Sequence, residues 1–183
     1  MTRLFIILCA FAVVFSCKTP EPRAPQSISS GSFVQESIAR NKALIKEQEQ
    51  LILDAIAKDS IANFSASEQG FWFVKTVVDT INNGVRPKFG DQLLFDYQIE
   101  DLSRNIIYSK EELSPRSYAM DQQELISGLR EGLKMMSVGE TMILYLPAHK
   151  AYGYYGDQNR IGTNVPLRIM VQLNQLEKNT IKN

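Results

Sequence analysis

Few side chains in this 183-residue chain could do nucleophilic or metal chemistry. There is one histidine, His149, and there are two cysteines, Cys9 and Cys17, both close to the N-terminus. A Ser–His–Asp triad would have to use His149, and no nucleophile-elbow sequence is present to complete it. Zinc sites need clustered Cys or His, and a disulfide framework needs cysteines in the body of the chain, so the sequence argues against both. Twenty Lys and Arg balance twenty Asp and Glu. No basic stripe alternates with aromatics, so nucleic acid is not an expected partner. No cofactor is implied.

Cys17 has another chemistry open to it. Arg3 supplies a positive start, and Leu4–Phe15 is an unbroken apolar run. That run is shorter than the roughly twenty residues needed to span a bilayer. It ends at Ser16-Cys17, an arrangement that resembles a lipoprotein signal. The resemblance implies that residues 1–16 are removed and that Cys17 is acylated. The mature chain is then expected in the bacterial envelope, held to a membrane by lipid. Lys18 follows Cys17 with no acidic cluster after it, which points to a periplasm-facing anchor.

The elements that follow must position any functional group. Residues 17–31 contain Pro20, Pro22 and Pro25 among serines and are expected to form a disordered tether. Residues 32–66 read as a long helix, with Ile38, Ile45, Ile52 and Ile56 near helical spacing. Two readings stay open for it: a helix packed on its own domain, or a docking or homodimerisation arm. Asn41 and Gln48 interrupt the stripe, so a strict coiled-coil seam is not supported.

Residues 68–178 read as the folded domain. Glu68–Thr80, with Phe71, Trp72, Phe73 and Val74, is expected to be a strand, and Asn82-Asn83-Gly84 a turn. Leu93, Phe95, Tyr97 and Ile99 alternate with polar or outward positions, which places Tyr97 on an inward face. Asn105–Ser109 and Arg116–Met120 read as further strands. Asp121 with Glu124 three residues on suggests a capping box, opening a short helix with Leu125, Ile126, Leu129 and Leu133 on its apolar side. Thr141–Leu146 and Pro166–Leu176 complete the strands. Strands, one short helix and strands again, preceded by a long helix, make an α+β fold rather than a parallel α/β one.

The run from Gln123 to Gly153 reads QELISGLREGLKMMSVGETMILYLPAHKAYG. It resembles the signature of FKBP-type peptidyl-prolyl cis-trans isomerases: a helix with an L-I-S-G core, an E-G-L…M-x-x-G turn, and a strand entering P-x-x-x-A-Y-G. With its preceding helix and Phe-Trp strand, the chain also resembles the gliding-motility-associated FKBP lipoproteins of the Bacteroidota. The resemblance implies a twisted antiparallel sheet around one short helix, with a proline pocket between them. It implies catalytic roles for Tyr97, Ile126 through its backbone N–H, and Tyr152. Tyr108, Ser109, Tyr118, Leu125, Leu129 and Ile169 are implied as substrate-binding. Four positions depart from the family pattern: Leu129 stands where Trp is usual, Ser109 for Asp, Ile169 for Phe, and Arg116 for a pocket-edge aromatic.

The implied function is isomerisation of Xaa–Pro bonds in proline-containing client polypeptides, assisting envelope proteins and the gliding-motility machinery. Two alternatives stay open, the first from these departures and the second from the N-terminal helix as a docking element. One is a chaperone or binding module that kept the fold and lost turnover. The other is a structural component of an envelope assembly.

Overall fold

The computed structural model describes residues 31–61, 63–78 and 84–179. Two compact units divide the chain, Met1–Ser37 and Ile38–Asn183. The expected signal, Cys17 and nearly all of the expected tether lie outside the described residues. Helix α1 runs Gly31–Lys58. The strands are β1 Ser65–Ala66, β2 Trp72–Val77, β3 Gln92–Glu100, β4 Ile106–Tyr108, β5 Arg116–Ala119, β6 Thr141–Leu146 and β7 Leu167–Glu177. Two helices interrupt them, a single turn α2 at Lys110–Leu113 and α3 at Ser127–Lys134. A 3-10 turn occupies Ala148–Lys150.

All strands pair antiparallel in one sheet of order β1-β2-β6-β7-β3-β4, and β5 shares the outer edge of β3 with β4. The long central pair explains the order. β3 and β7 both alternate, and their registers set Ile99 against Ile169 and Tyr97 against Val171. Leu93, Phe95, Tyr97, Ile99, Leu167, Ile169, Val171 and Leu173 are therefore buried together. Helix α3 closes this face with Leu129 and Leu133, both fully buried. Gly128 and Gly132, one helical turn apart, let it approach β6 closely. A Cβ on Gly132 would lie 2.8 Å from Leu144 Cδ1.

Strand β6 is buried on both faces, so a single cover is not enough. Met142, Leu144 and Leu146 join the α3 side, whereas Ile143 and Tyr145 point the other way. Helix α1 covers that second side. Ile52 is fully buried against Ile143 and Tyr145, with Ala55 and Ile56 beside it. Burial of one such isoleucine stabilises by about 1.5–3 kcal/mol. From Gln48 to Ile56, then, the helix packs on its own domain.

The helix ends earlier than the sequence suggests. Residues 32–66 were expected to be helical, but α1 stops at Lys58 and Ser65–Ala66 pairs with β2. The cause lies at Asp59, whose side chain is drawn fully into the protein. It accepts the Tyr145 hydroxyl at 2.9 Å and lies 3.5 Å from Arg168 Nε. It also accepts the Ile61 N–H at 3.1 Å, which turns the chain. Arg168 in turn donates to Glu100 at 2.6 Å. Buried charges persist when paired in this way.

The capping box also lies elsewhere. Asp121 adopts φ +58 and does not cap a helix; α3 starts at Ser127, after an extended stretch that carries Leu125 and Ile126. Asp121 instead meets Lys134 at 3.0 Å and Arg130 at 3.6 Å from outside the helix. The box that forms is on α2, where the Ser109 N–H donates to Glu112 at 2.8 Å.

Candidate active site

A cleft of about 560 Å³ opens where β3, the stretch before α3 and the loop after β6 meet. Each wall follows from local structure. Tyr97 comes from the inward-facing set of β3. Leu125 and Ile126 come from the extended approach to α3, and Leu129 from the first turn of that helix, where it forms a buried floor. Ala151 and Tyr152 come from the turn beyond the 3-10 segment. That turn is pinned by Gly153 N–H donating to Ala148 O at 2.8 Å and Asn164 N–H donating to Gly153 O at 2.9 Å.

Polar groups ring the opening. Arg116 Nη1 donates to the Tyr97 hydroxyl at 3.0 Å, and its Nη2 to the Glu124 carbonyl at 3.3 Å. Burial above all, with electrostatic coupling to Tyr97 and Asp157 adding to it and Arg116 opposing, pushes the Tyr152 hydroxyl up to about 12. It therefore stays a hydrogen-bond donor through neutral pH. Among the described residues no group accepts its proton, and none accepts the Ile126 N–H. The site thus offers an aliphatic patch, Leu125, Ile126 and Leu129, within a cleft of mixed polarity that also holds a hydroxyl and an amide donor.

Five of the nine residues expected to form the site line this cleft: Tyr97, Leu125, Ile126, Leu129 and Tyr152. Four do not. Tyr118 and Ile169 are fully buried beneath it, Tyr118 against Phe95 and Ile169 paired with Ile99 and Leu144. They shape the core under the cleft and do not reach its surface. The Ser109 N–H serves the capping box of α2.

The Tyr108 hydroxyl donates to Asp157, which also accepts the N–H groups of Asn159 and Ile161 at 2.9 and 2.8 Å. Arg160 stacks 4.7 Å over the Tyr108 ring and bonds Glu112 at 2.7 Å and the Ile107 carbonyl at 2.8 Å. Tyr108 thus fastens the loop that follows Tyr152 to β4. Arg116, flagged in the sequence only as a departure, is a cleft residue. Glu124, read in the sequence only as a capping residue, and Arg130, which no sequence signal singled out, also line the cleft.

Residues 84–174 match the family model described as FKBP-type peptidyl-prolyl cis-trans isomerase. Among the solved structures that share the fold, two are informative. One is a peptidyl-prolyl cis-trans isomerase from Pseudomonas syringae, 20% identical, covering 75% of this chain and 96% of its own, with a TM-score of 0.59. The other is the N-terminal domain of FKBP42 from Arabidopsis thaliana, 14% identical, covering 66% of this chain and 96% of its own, with a TM-score of 0.57. The sheet wrapped on α3, the cleft between them and the family match agree: residues 84–174 form an FKBP-type peptidyl-prolyl cis-trans isomerase domain.

Proposed function

We propose that the cleft seats a client proline between Tyr97, Leu125 and Leu129, while the Tyr152 hydroxyl and the Ile126 N–H hold the flanking carbonyls. The observation that carries this reading is the Tyr152 hydroxyl: free of any described acceptor, with its pKa raised chiefly by burial, and lining the same cleft as the aliphatic Leu125, Ile126 and Leu129. Rotation about an Xaa–Pro bond faces a barrier of about 18–20 kcal/mol because it breaks amide resonance. The twisted amide has less charge separation than the planar one, so a water-poor pocket favours it over the ground state. No proton transfer and no covalent intermediate is needed. The donors fix the chain on either side of the rotating bond.

The wider role we propose is assistance to envelope proteins by a chain anchored through Cys17, facing the periplasm, with gliding-motility machinery among the clients. The sequence supports this reading through the apolar run ending at Ser16-Cys17 and the resemblance to gliding-motility-associated lipoproteins. In this reading α1 has a second duty at its exposed positions, Ile38, Leu51 and Leu53, as a docking or dimer-forming arm. A second reading, a binding module with weak turnover, is favoured by the aliphatic Leu129 floor and by Arg116 at the cleft.

A protease-coupled assay with Xaa–Pro peptides tests the site. Tyr152→Phe should slow turnover about tenfold, the loss of one transition-state hydrogen bond; an unchanged rate would remove Tyr152 from the mechanism. Holdase activity with no turnover by the native chain would favour the binding module. Labelled fatty acid should enter the native chain and not Cys17→Ala, and equal labelling of both would end the anchor proposal.

A further inference from the structure

The cleft carries one cation that no carboxylate among the described residues pairs with. Arg130 also lines it, but is shared between Asp121 at 3.6 Å and Glu131 at 3.5 Å. Arg116 differs. It stands on β5 opposite Phe95, and both of its hydrogen bonds go to neutral acceptors, the Tyr97 hydroxyl and the Glu124 carbonyl. Those bonds span the cleft wall and fix the guanidinium plane. They use two of its five N–H donors. Three donors and a full positive charge remain for whatever enters. A planar guanidinium held in place matches a carboxylate in fork geometry, with charge-assisted bonds stronger than neutral ones.

We propose that Arg116 makes the cleft selective for prolines with an acidic neighbour, an Asp or Glu side chain beside the isomerising bond. This inference rests on the reading that the cleft seats the client proline. Arg116 acts as a specificity determinant: its side chain meets the client's carboxylate and takes no part in the bond rotation. The same cation repels Lys and Arg at that position, so discrimination comes from both signs.

The test is kcat/KM of the full chain on two peptide series, Xaa–Pro–Ala and Ala–Pro–Xaa, with Xaa as Glu, Gln or Lys. In at least one series Glu should exceed Gln by up to about fivefold and Lys by roughly tenfold, the range for a half-exposed ion pair. The preference should shrink toward 1 M salt, where screening acts within about 3 Å. Arg116→Gln, which removes the charge and keeps a polar side chain, should level the series, and Arg116→Glu should invert it. Should neither variant fold, the native Glu-to-Lys ratio and its salt dependence still decide. Equal turnover of Glu and Lys peptides in both series would overturn the inference while leaving the proline cleft intact, as would an Arg116→Gln protein that keeps the preference. Failure to turn over any peptide would instead sink the cleft reading, and this inference with it.

Discussion

Gln48 lies outside the residues that match the isomerase family, yet it reaches the loop that carries Tyr152. It is buried, and its amide makes two bonds into the domain. The Ala148 N–H donates to its Oε1 at 2.8 Å, and its Nε2 donates to the Asn164 carbonyl at 3.0 Å. Ala148 O accepts Gly153 N–H, and Gly153 O accepts Asn164 N–H. The four residues close a ring of hydrogen bonds next to Tyr152, the chain neighbour of Gly153, and one member of it belongs to α1. Gln48→Leu keeps the approximate volume and deletes both side-chain bonds. A buried backbone group left without a partner costs about 1–3 kcal/mol. Ala148 is 2% exposed, so its N–H bears the full cost. Asn164 is only partly buried, so water can replace the lost donor at its carbonyl and its cost is at the low end. Leucine returns about 1 kcal/mol through added apolar burial. The net loss is about 2 kcal/mol, a fall in Tm of about 4–8 °C for a domain of this size.

The assay is thermal unfolding paired with amide exchange. Exchange at Ala148 and Gly153 should accelerate by about thirtyfold, the same 2 kcal/mol expressed as a rate ratio. Amides in the centre of β3 and β7 should change only as much as global stability does. Peptide turnover should fall as the Tyr152 loop loosens. An unchanged Tm with unchanged exchange at Ala148 would refute the reasoning, because it would mean that the ring contributes no net stability. Faster exchange with unaltered turnover would refute the functional half alone.

Three further outcomes follow. Asp59→Asn removes one carboxylate from the buried Arg168 and should cost about 3 kcal/mol, the low end for a broken buried pair because Glu100 remains; denaturant unfolding should show a lower midpoint at unchanged slope. Burial raises the Asp59 pKa, but the Ile61 N–H, Tyr145, Arg168 and Arg104 outweigh it and hold it below 3.8. Its contribution is therefore full above that value and is lost as pH falls through the folded pKa, so Asp59→Asn should flatten the acid limb of the native stability curve. The Tyr152 pKa is raised from 10.0 to about 12, so its contribution is full below 10 and fades as pH rises toward 12; turnover should be level between about pH 6 and 9, where this phenol stays protonated, and a fall centred below 9 would assign the site to another group. Gly128→Ala sets a gain of about 1 kcal/mol in helix propensity against a Cβ only 2.5 Å from Leu146 Cδ2 and 3.0 Å from the Lys150 carbonyl. Overpacking costs about 1–3 kcal/mol, and the backbone carbonyl cannot swing aside, so calorimetry should show a net loss.

The parts of the molecule legible in the sequence are those set by period. The alternation Leu93, Phe95, Tyr97, Ile99 gave β3 its inward face, and the QELISG…AYG run brought Leu125, Ile126, Leu129 and Tyr152 to one cleft with Tyr97. What period could not supply was depth. Tyr118 and Ile169 stand on strands whose inward faces were readable, but only packing reveals that Tyr118, against Phe95, and Ile169, beside Ile99, are fully buried and do not line the cleft. Capping failed for a different reason. Asp121-x-x-Glu124 and Ser109-x-x-Glu112 fit the same pattern, and the winner was decided by distant partners: Lys134 and Arg130 take Asp121, while Arg160 takes Glu112. The role of α1 was within reach. Met142-Ile143-Leu144-Tyr145-Leu146 is apolar without alternation, which for a strand means burial on both faces. One short helix covers one face, so a second cover was required, and α1 was the long amphipathic element left to supply it. Gln48, which broke the apolar stripe in the sequence, breaks it because Ala148 and Asn164 present a backbone donor and acceptor there. A polar residue inside an apolar helical stripe can thus mark the point where the helix meets a loop that still has hydrogen bonds to make.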